Sequence, residues 1–555
     1  MTAIITHLDR DIFQYQLTAI AEEMSASLRR AAFSPIIWDM LDYSCALLSP
    51  SGEMLAQAET IPAQLGVMSY AFTGITAEIP IEQWKPGDIF ICNDPYKGCT
   101  HTPDIVLLNP IFKKDRIIAI AATIAHHVDI GGKLPSTTAP DNREIFAEGL
   151  LFPPMRLVSQ NIQNDTIFRF IEGNVRNPRA CIGDLIAQIA GCRTGEKRVQ
   201  ELIDRYGPKK LDALLQATLE YGEQFVRNSL STMPDGRNTA EIFIEDDVAS
   251  NQPIRIAVTA EIKGDEIYID FTGTDKQRQN ALNCPFSSTC AMTLYAIRCL
   301  TEMDSLSNGG CNRPVHINIP KGSFLNPARP AAVGNRHFAQ QAVADVVLKA
   351  LAPLRSERSA AGCHISFPTF RAGGFDTRPE IIEKYGAPKY FIVHDIIGGG
   401  MGGFDGGDGL AAVDTHGGNC GIFSAEIIET ASPIRINKTA LISNSGGDGK
   451  YRGGLAVIRE YELLADDLMV SVYFQQGSEV TAPWGYQGGA KGQPAASRLI
   501  RKDGSIMPLS SKEIALDTAL GDIIQLESAG AGGWGCPQER ALDARKNDAR
   551  EGYTK

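Results

Sequence analysis

DIVLLNPIFKKDRIIAIAATIAHH, residues 104–127, consists of two apolar runs on either side of a short charged turn. That pattern predicts a β-hairpin. Its ends carry the chemistry: Asp104 opens the first run, His126 and His127 close the second, and Asp129 follows. The segment leading into it, NDPYKGCTHTPD at 93–104, adds His101, and Pro95 and Pro103 argue against a helix there. The chain has 9 histidines in 555 residues, so three of them between positions 101 and 127 form a cluster rather than a scatter.

A loop can present the His101 imidazole and the Asp104 carboxylate to one metal ion, with a third ligand arriving from the second strand. Successive strand side chains point to opposite faces, so His126 and His127 do not easily serve one ion together. Either His126 is the ligand and His127 and Asp129 face elsewhere, or the reverse holds. Histidine and carboxylate ligands without a cysteine requirement suit Zn²⁺, Mn²⁺ or Fe²⁺. Such an ion can acidify water and polarise a carbonyl or phosphoryl oxygen. The competing reading is that these histidines only satisfy buried backbone groups. Cys99 reads as a buried, inert thiol before it reads as a fourth ligand.

Outward from the hairpin, residues 10–34 carry apolar residues at helical spacing up to Ser34-Pro35, where proline disfavours helix. The runs DYSCALLS, GEMLAQA and GDIFICNDPY read as strands, and residues 140–235 read as strongly helical. Strand patterns return from about 240, interrupted by the helical stretches PFSSTCAMTLYAIRCL and FAQQAVADVVLKAL. The expected fold is α+β and multidomain: a β-rich platform at 1–138 bearing the metal site, a helical segment at 139–236, an α+β part at 237–385, a glycine-rich β part at 386–540 and a tail at 541–555. The glycine pairs Gly402-Gly403 and Gly446-Gly447 read as tight turns that need positive φ. The sharper alternative for them is an interface between protomers or a channel wall. None has the spacing of a dinucleotide or phosphate loop, so no nucleotide site is expected on this chain.

Hydrophobic residues make up 43% and charged residues 21%, an ordinary globular composition. A net charge of −12 and the lack of a basic block exclude a phosphate-backbone partner. No apolar run is long enough to span a membrane. The 12 cysteines form no CxxC pair and read as reduced thiols of a cytoplasmic protein.

The motifs NDPYKGCTHTPD, AHHVDIGG, EIFAEGLLFPPMRL, GNVRNPRACIGDLIAQIAG, NCPFSST, NSGGDGKYRGGLA and SAGAGGWGCP together resemble the hydantoinase B family. The resemblance runs from about residue 10 to 540. It implies a partner, a hydantoinase A-type chain that binds ATP and Mg and phosphorylates the substrate carbonyl oxygen. It further implies a divalent ion (Zn, Mn or Fe) on this chain, held by Asp42, His101, Asp104 and His126, which favours His126 over its neighbour. The expected reaction is ATP-dependent hydrolysis of a cyclic amide (a hydantoin, 5-oxoproline or lactam), with His127 or Asp129 as general base. Ketone carboxylation of the acetone or acetophenone type is the alternative. A heterotetramer or larger assembly is expected. The chain departs from the family's pattern at Gln64, where many relatives carry histidine, and at Cys99.

Overall fold

The computed structural model describes residues 5–250, 252–301 and 307–554 of the chain. Its first sheet has seven strands: β1 (Tyr43–Leu48), β2 (Met54–Gln57), β3 (Ile89–Cys92), β4 (Asp104–Lys113), β5 (Arg116–His126), β6 (Met155–Ser159) and β7 (Ile162–Gln163). They lie in the order β2-β1-β5-β4-β3-β6-β7. The predicted hairpin is β4–β5, closed at Lys114, which takes a left-handed φ of 54°. Its antiparallel register sets Asp104 opposite His126 and Ile105 opposite Ala125.

Both faces of this hairpin are covered, which is why its strands read as near-continuous apolar runs. Val106, Leu108, Ile120, Ala122 and Ile124 pack with Phe72 and Ile75 of the helix Met68–Glu78. Ile105 and Leu107 pack with Leu185 and Cys192 of the helix Pro178–Tyr206. Each such isoleucine or leucine contributes about 1.5–3 kcal/mol by leaving water. The long helix comes close because it has no side chain at Gly195, where a Cβ would sit 3.0 Å from the Cβ of Ala121 in β5.

Residues 155–163 correct the helical expectation for 140–235: they form β6 and β7 at the edge of the first sheet. Helix begins only at Asp165 and continues in Pro178–Tyr206 and Pro208–Ser231. The short polar strand β7 pairs with β6 alone, so no buried apolar face announced it.

A second sheet, ordered β11-β10-β9-β8, comprises β8 (Gly236–Ile244), β9 (Ile254–Lys263), β10 (Glu266–Asp270) and β11 (Val315–Asn318). The helix His337–Leu351 packs on it and on the helix Phe286–Leu300. A third sheet joins β12 (Thr369–Asp376) and β13 (Lys389–Ile396) to strands Met469–Tyr473 and Lys512–Leu516, and a five-stranded sheet is built from residues 434–527. Four sheets with helices packed against them make the chain α+β, as expected.

The glycine stretches differ from expectation. Gly402, Gly403, Gly446 and Gly447 are absent from the positive-φ positions. They serve close backbone packing instead: a Cβ on Gly402 would lie 1.9 Å from the Ala361 carbonyl oxygen, and one on Gly446 2.1 Å from that of Gly453. Hydrogen bonds tie these segments side by side, Gly403 N to Gly532 O at 2.9 Å and Gly447 N to Ala531 O at 2.8 Å. Extended chains can stack this tightly only where side chains are absent.

Gly98 does need its conformation. It ends the short turn Pro95–Lys97 at φ 95°, and a Cβ there would meet the Tyr70 carbonyl at 2.3 Å. Gly98→Ala is expected to cost about 2 kcal/mol, read as a lowered thermal midpoint. An unchanged melt would show that the loop carries no such constraint.

A candidate metal centre

Three segments meet at the open end of the hairpin. Asp104 begins β4 and His126 ends β5, and the register places them side by side. The 93–104 loop returns His101 to the same point, and the backbone carbonyl of Asp42, just before β1, accepts the His126 N–H at 3.0 Å. His101 Nε2 lies 3.2 Å from both His126 Nδ1 and Asp104 Oδ1. His126 Nδ1 is 2.9 Å from Asp104 Oδ1 and 3.8 Å from Asp42 Oδ2. His101, Asp104 and His126 are all buried.

Outer partners hold these groups in place. His101 Nδ1 faces the Gly334 carbonyl at 2.8 Å, so it carries the proton and Nε2 keeps its lone pair toward the cluster. Asp104 Oδ2 accepts from Arg336 at 2.8 Å and from the Thr100 hydroxyl at 2.5 Å, leaving Oδ1 aimed at the two imidazoles. Gln64 Nε2–H donates to Asp42 Oδ1 at 2.7 Å and turns Oδ2 inward. Glu148 accepts from Gly334 N at 2.6 Å, and burial pushes its carboxyl up to about 8.

The electrostatics fit a cation. Burial lowers His101 to about 4, so it is neutral at physiological pH. Burial opposes ionisation of Asp104, but His101, His126 and Arg336 hold its carboxyl well below the ordinary range. Burial raises Asp42 to about 6, with His126 opposing the rise. A lone pair of His101 and the charge of Asp104 thus converge on a space with only the His126 proton to share. A divalent ion suits that donor set of two imidazoles and one or two carboxylates.

His127 and Asp129 are not brought to this point. His127 lies on the other face of the hairpin, with Nε2 3.0 Å from Gln188 Oε1 and Nδ1 3.4 Å from Cys181 Sγ. Asp129 accepts from Arg176 Nη1 at 2.8 Å and from the backbone N–H groups of Gly131 and Arg176. Strand alternation separates the adjacent histidines, and both Asp129 oxygens are engaged in fastening the turn that follows. Cys99 is buried in the apolar cluster with Cys92 and Phe90, away from any ligand role.

Several residues at the site have no signal in the hairpin. Arg336 and His337 come from the start of the helix His337–Leu351, and Arg371 and His394 face each other across β12 and β13. The His394 ring lies 5.5 Å from that of His126. His394 Nδ1 is 3.0 Å from Ser136 Oγ, and its Nε2 is 3.3 Å from Arg371. Buried atoms without a hydrogen-bond partner concentrate here: His126 Nε2, His337 Nε2, both amide atoms of Asn335 and Nε of Arg371. Such atoms are exceptional in a folded protein, so their grouping marks a place that takes a ligand or water. An arginine and a histidine stand out within the apolar strands β12 and β13, but nothing local ties them to residues more than 200 positions away.

A family profile described as hydantoinase B/oxoprolinase matches residues 7–537. The chain belongs to that family. A relative from Pseudomonas sp. (strain NS671), named as the B-type component of a D-/L-hydantoinase, is 32% identical over 555 residues, covering 97% of this chain and 91% of its own. Among solved structures, an ATP-dependent caprolactamase from Pseudomonas jessenii superposes with a TM-score of 0.91 at 26% identity, covering 100% of this chain and 95% of its own. A nucleotide-free acetone carboxylase superposes with a TM-score of 0.89 at 19% identity, over 98% of this chain and 78% of its own, and shares the fold.

Within the family fold, Gln64 is the readiest point of control. Gln64→Ala removes the hydrogen bond that aims Asp42 and is expected to weaken metal affinity about 10–100-fold. Titrating the metal-depleted protein with Zn²⁺ or Mn²⁺ measures this, and an unchanged dissociation constant would exclude Asp42 from the site.

Proposed function

We propose that this chain is the metal-dependent catalytic subunit of a two-component, ATP-dependent cyclic-amide hydrolase. The observation that carries the reading is the convergence of His101, Asp104 and His126 on one buried point, with Asp42 Oδ2 3.8 Å from His126 Nδ1. The likeness to a caprolactamase over the full chain supports the substrate class. A hydantoinase A-type partner would bind ATP and Mg and phosphorylate the carbonyl oxygen, in a heterotetramer or larger assembly.

A lactam or hydantoin carbonyl is a poor electrophile because the ring nitrogen donates into it, as in a peptide bond. Phosphorylation of its oxygen withdraws that density. A divalent ion held by the four residues would act as Lewis acid and lower the pKa of water to near neutrality. Arg336 offsets part of the carboxylate charge and keeps Asp104 ionised. Arg371, braced by donating from Nη2 to His394 Nε2, keeps its buried Nε–H without a partner and offers it to charge developing on phosphate or oxyanion. Because His127 and Asp129 are committed elsewhere, we assign proton transfer to His337. Its Nε2 is buried and without a partner, and its ring is held against Phe338 and Phe367. Water adds to the activated carbon and the ring C–N bond breaks, the nitrogen leaving as an amine from a lactam or as the carbamoyl NH2 from a hydantoin. A second water releases phosphate from the resulting acyl phosphate, so the products are a ring-opened amino acid or carbamoyl amino acid, ADP and phosphate.

The test is ATP turnover by this chain co-purified with its ATP-binding partner, on caprolactam, 5-oxoproline, hydantoins and simple ketones, with and without bicarbonate. Substrate-dependent ADP release with a ring-opened product and no need for bicarbonate supports the hydrolase. Turnover that appears only with a ketone and bicarbonate overturns it in favour of a carboxylase.

A further inference from the structure

We propose that Asp345, Cys363 and His416 form a second metal site, of zinc type, separate from the hairpin centre. The three come from different segments: Asp345 from the helix His337–Leu351, Cys363 from the chain before β12, and His416 from the loop after β13. All three are buried, and one ligand atom of each lies within 4.8 Å of the others. His416 Nε2 and Asp345 Oδ1 are 3.3 Å apart. Tetrahedral zinc with bonds of about 2.0–2.3 Å needs ligand–ligand edges of about 3.3–3.8 Å, so this edge already has the required length.

Asp345 and Cys363 are aimed by outer partners, as metal ligands are, and the loop that carries His416 is pinned. Trp484 Nε1–H donates to Asp345 Oδ2 at 2.6 Å, and Oδ1, which accepts the Cys363 backbone N–H at 3.1 Å, faces the cluster. Gly402 N–H donates to Cys363 Sγ at 3.3 Å, from one of the tightly stacked glycine segments where no Cβ fits. His416 takes a left-handed φ of 55°, uncommon outside glycine, and its loop is pinned on both sides. Thr415 Oγ1 donates to His364 O at 2.7 Å, and Gly417 N donates to Gln341 Oε1 at 2.9 Å.

Charge balance favours a divalent ion of soft character. As ligands, the Asp345 carboxylate and a Cys363 thiolate would together carry two negative charges. One Zn²⁺ with a neutral imidazole makes the group neutral overall and lowers the cost of burying it. Thiolate among the ligands selects zinc over manganese. A cavity of about 850 Å³ offers an approach: Tyr295, whose ring stands 6.0 Å from that of His416, lines it, as does Asn419 of the same loop. The loop also accepts Ala63 N–H at Gly417 O, and Gly421 N–H donates to Met40 O. An ion at His416 would therefore brace the segments that carry Asp42 and Gln64.

The two sites differ in sulfur, and the test uses that. The full chain is purified and its metal content measured for wild type, Cys363→Ser and His126→Ala. We expect two metal equivalents in the wild type and one in each variant. In cobalt-substituted protein, a sulfur-to-cobalt charge-transfer band should survive His126→Ala and vanish in Cys363→Ser. X-ray absorption on the wild-type zinc protein should find a sulfur neighbour at about 2.3 Å, averaging about one sulfur per two zinc ions, a readout that needs no variant to fold. A single equivalent lost with His126→Ala, with no sulfur neighbour and no charge-transfer band, overturns the second site and leaves Asp345, Cys363 and His416 as a hydrogen-bonded network. The result is independent of the hydrolase reading, since neither the sulfur signal nor the stoichiometry depends on turnover.

Discussion

His126→Ala is expected to lose the hairpin metal and to lower kcat/KM by at least about three orders of magnitude, beyond the 10–100-fold typical of an outer-shell change. The substitution removes the one side chain that approaches His101, Asp104 and Asp42 together. The fold should tolerate it, because β5 keeps its backbone ladder and Asp104 keeps Arg336 and Thr100. His127→Ala, one residue on, should do the opposite. It leaves Gln188 Oε1 facing an apolar cavity and costs about 1–3 kcal/mol of stability, while metal content stays at the wild-type level. Metal analysis after dialysis and a denaturation curve on each variant separate the two. Full activity with unchanged metal in His126→Ala would remove it from the mechanism.

The largest effect on stability is expected behind the site, in β13. His394 faces the candidate metal centre, and the next side chain, Asp395, points the other way into the core. There it meets Arg459 Nη1 at 3.2 Å and the Tyr461 hydroxyl at 2.8 Å. All three are buried, and Arg459 also donates to the Phe423 carbonyl at 2.7 Å. Asp395→Ala leaves the Arg459 guanidinium buried without a counter-charge, which costs about 3–5 kcal/mol. A chain of several packed units need not unfold in one step, so the expected readout is a lower urea midpoint for the transition of this part, together with faster proteolysis between residues 389 and 463. Replacing Asp395 and Arg459 together by apolar residues should recover much of the loss. A single variant as stable as the wild type would show that the pair is solvated in solution.

Local pattern was enough for the part of the molecule that local physics governs. Two apolar runs around a charged turn specify a hairpin, and the period of two along a strand by itself puts His126 and His127 on opposite faces. The prolines around His101 mark a loop, and the helical spacing of residues 10–34 is realised in the helix His7–Ala31. Each of these signals is complete within a short stretch of chain, because backbone sterics and one buried face decide them.

The rest depended on which faces meet, and that is a property of the whole chain. Arg336, His337, Arg371 and His394 surround the hairpin from more than 200 positions away, brought there by packing of the helix His337–Leu351 and the third sheet. The glycine pairs read as tight turns in the sequence, and the structure packs them as stacked backbone instead. Only the approach of Ala361 to Gly402, and of Gly453 to Gly446, distinguishes the two. The same holds for Asp345, Cys363 and His416, unremarkable one at a time and informative only within 4.8 Å of each other. Short-range periodicity tells a side chain which way to point, whereas the identity of its neighbour follows from loop closure and from apolar burial summed over many elements, which no local window contains.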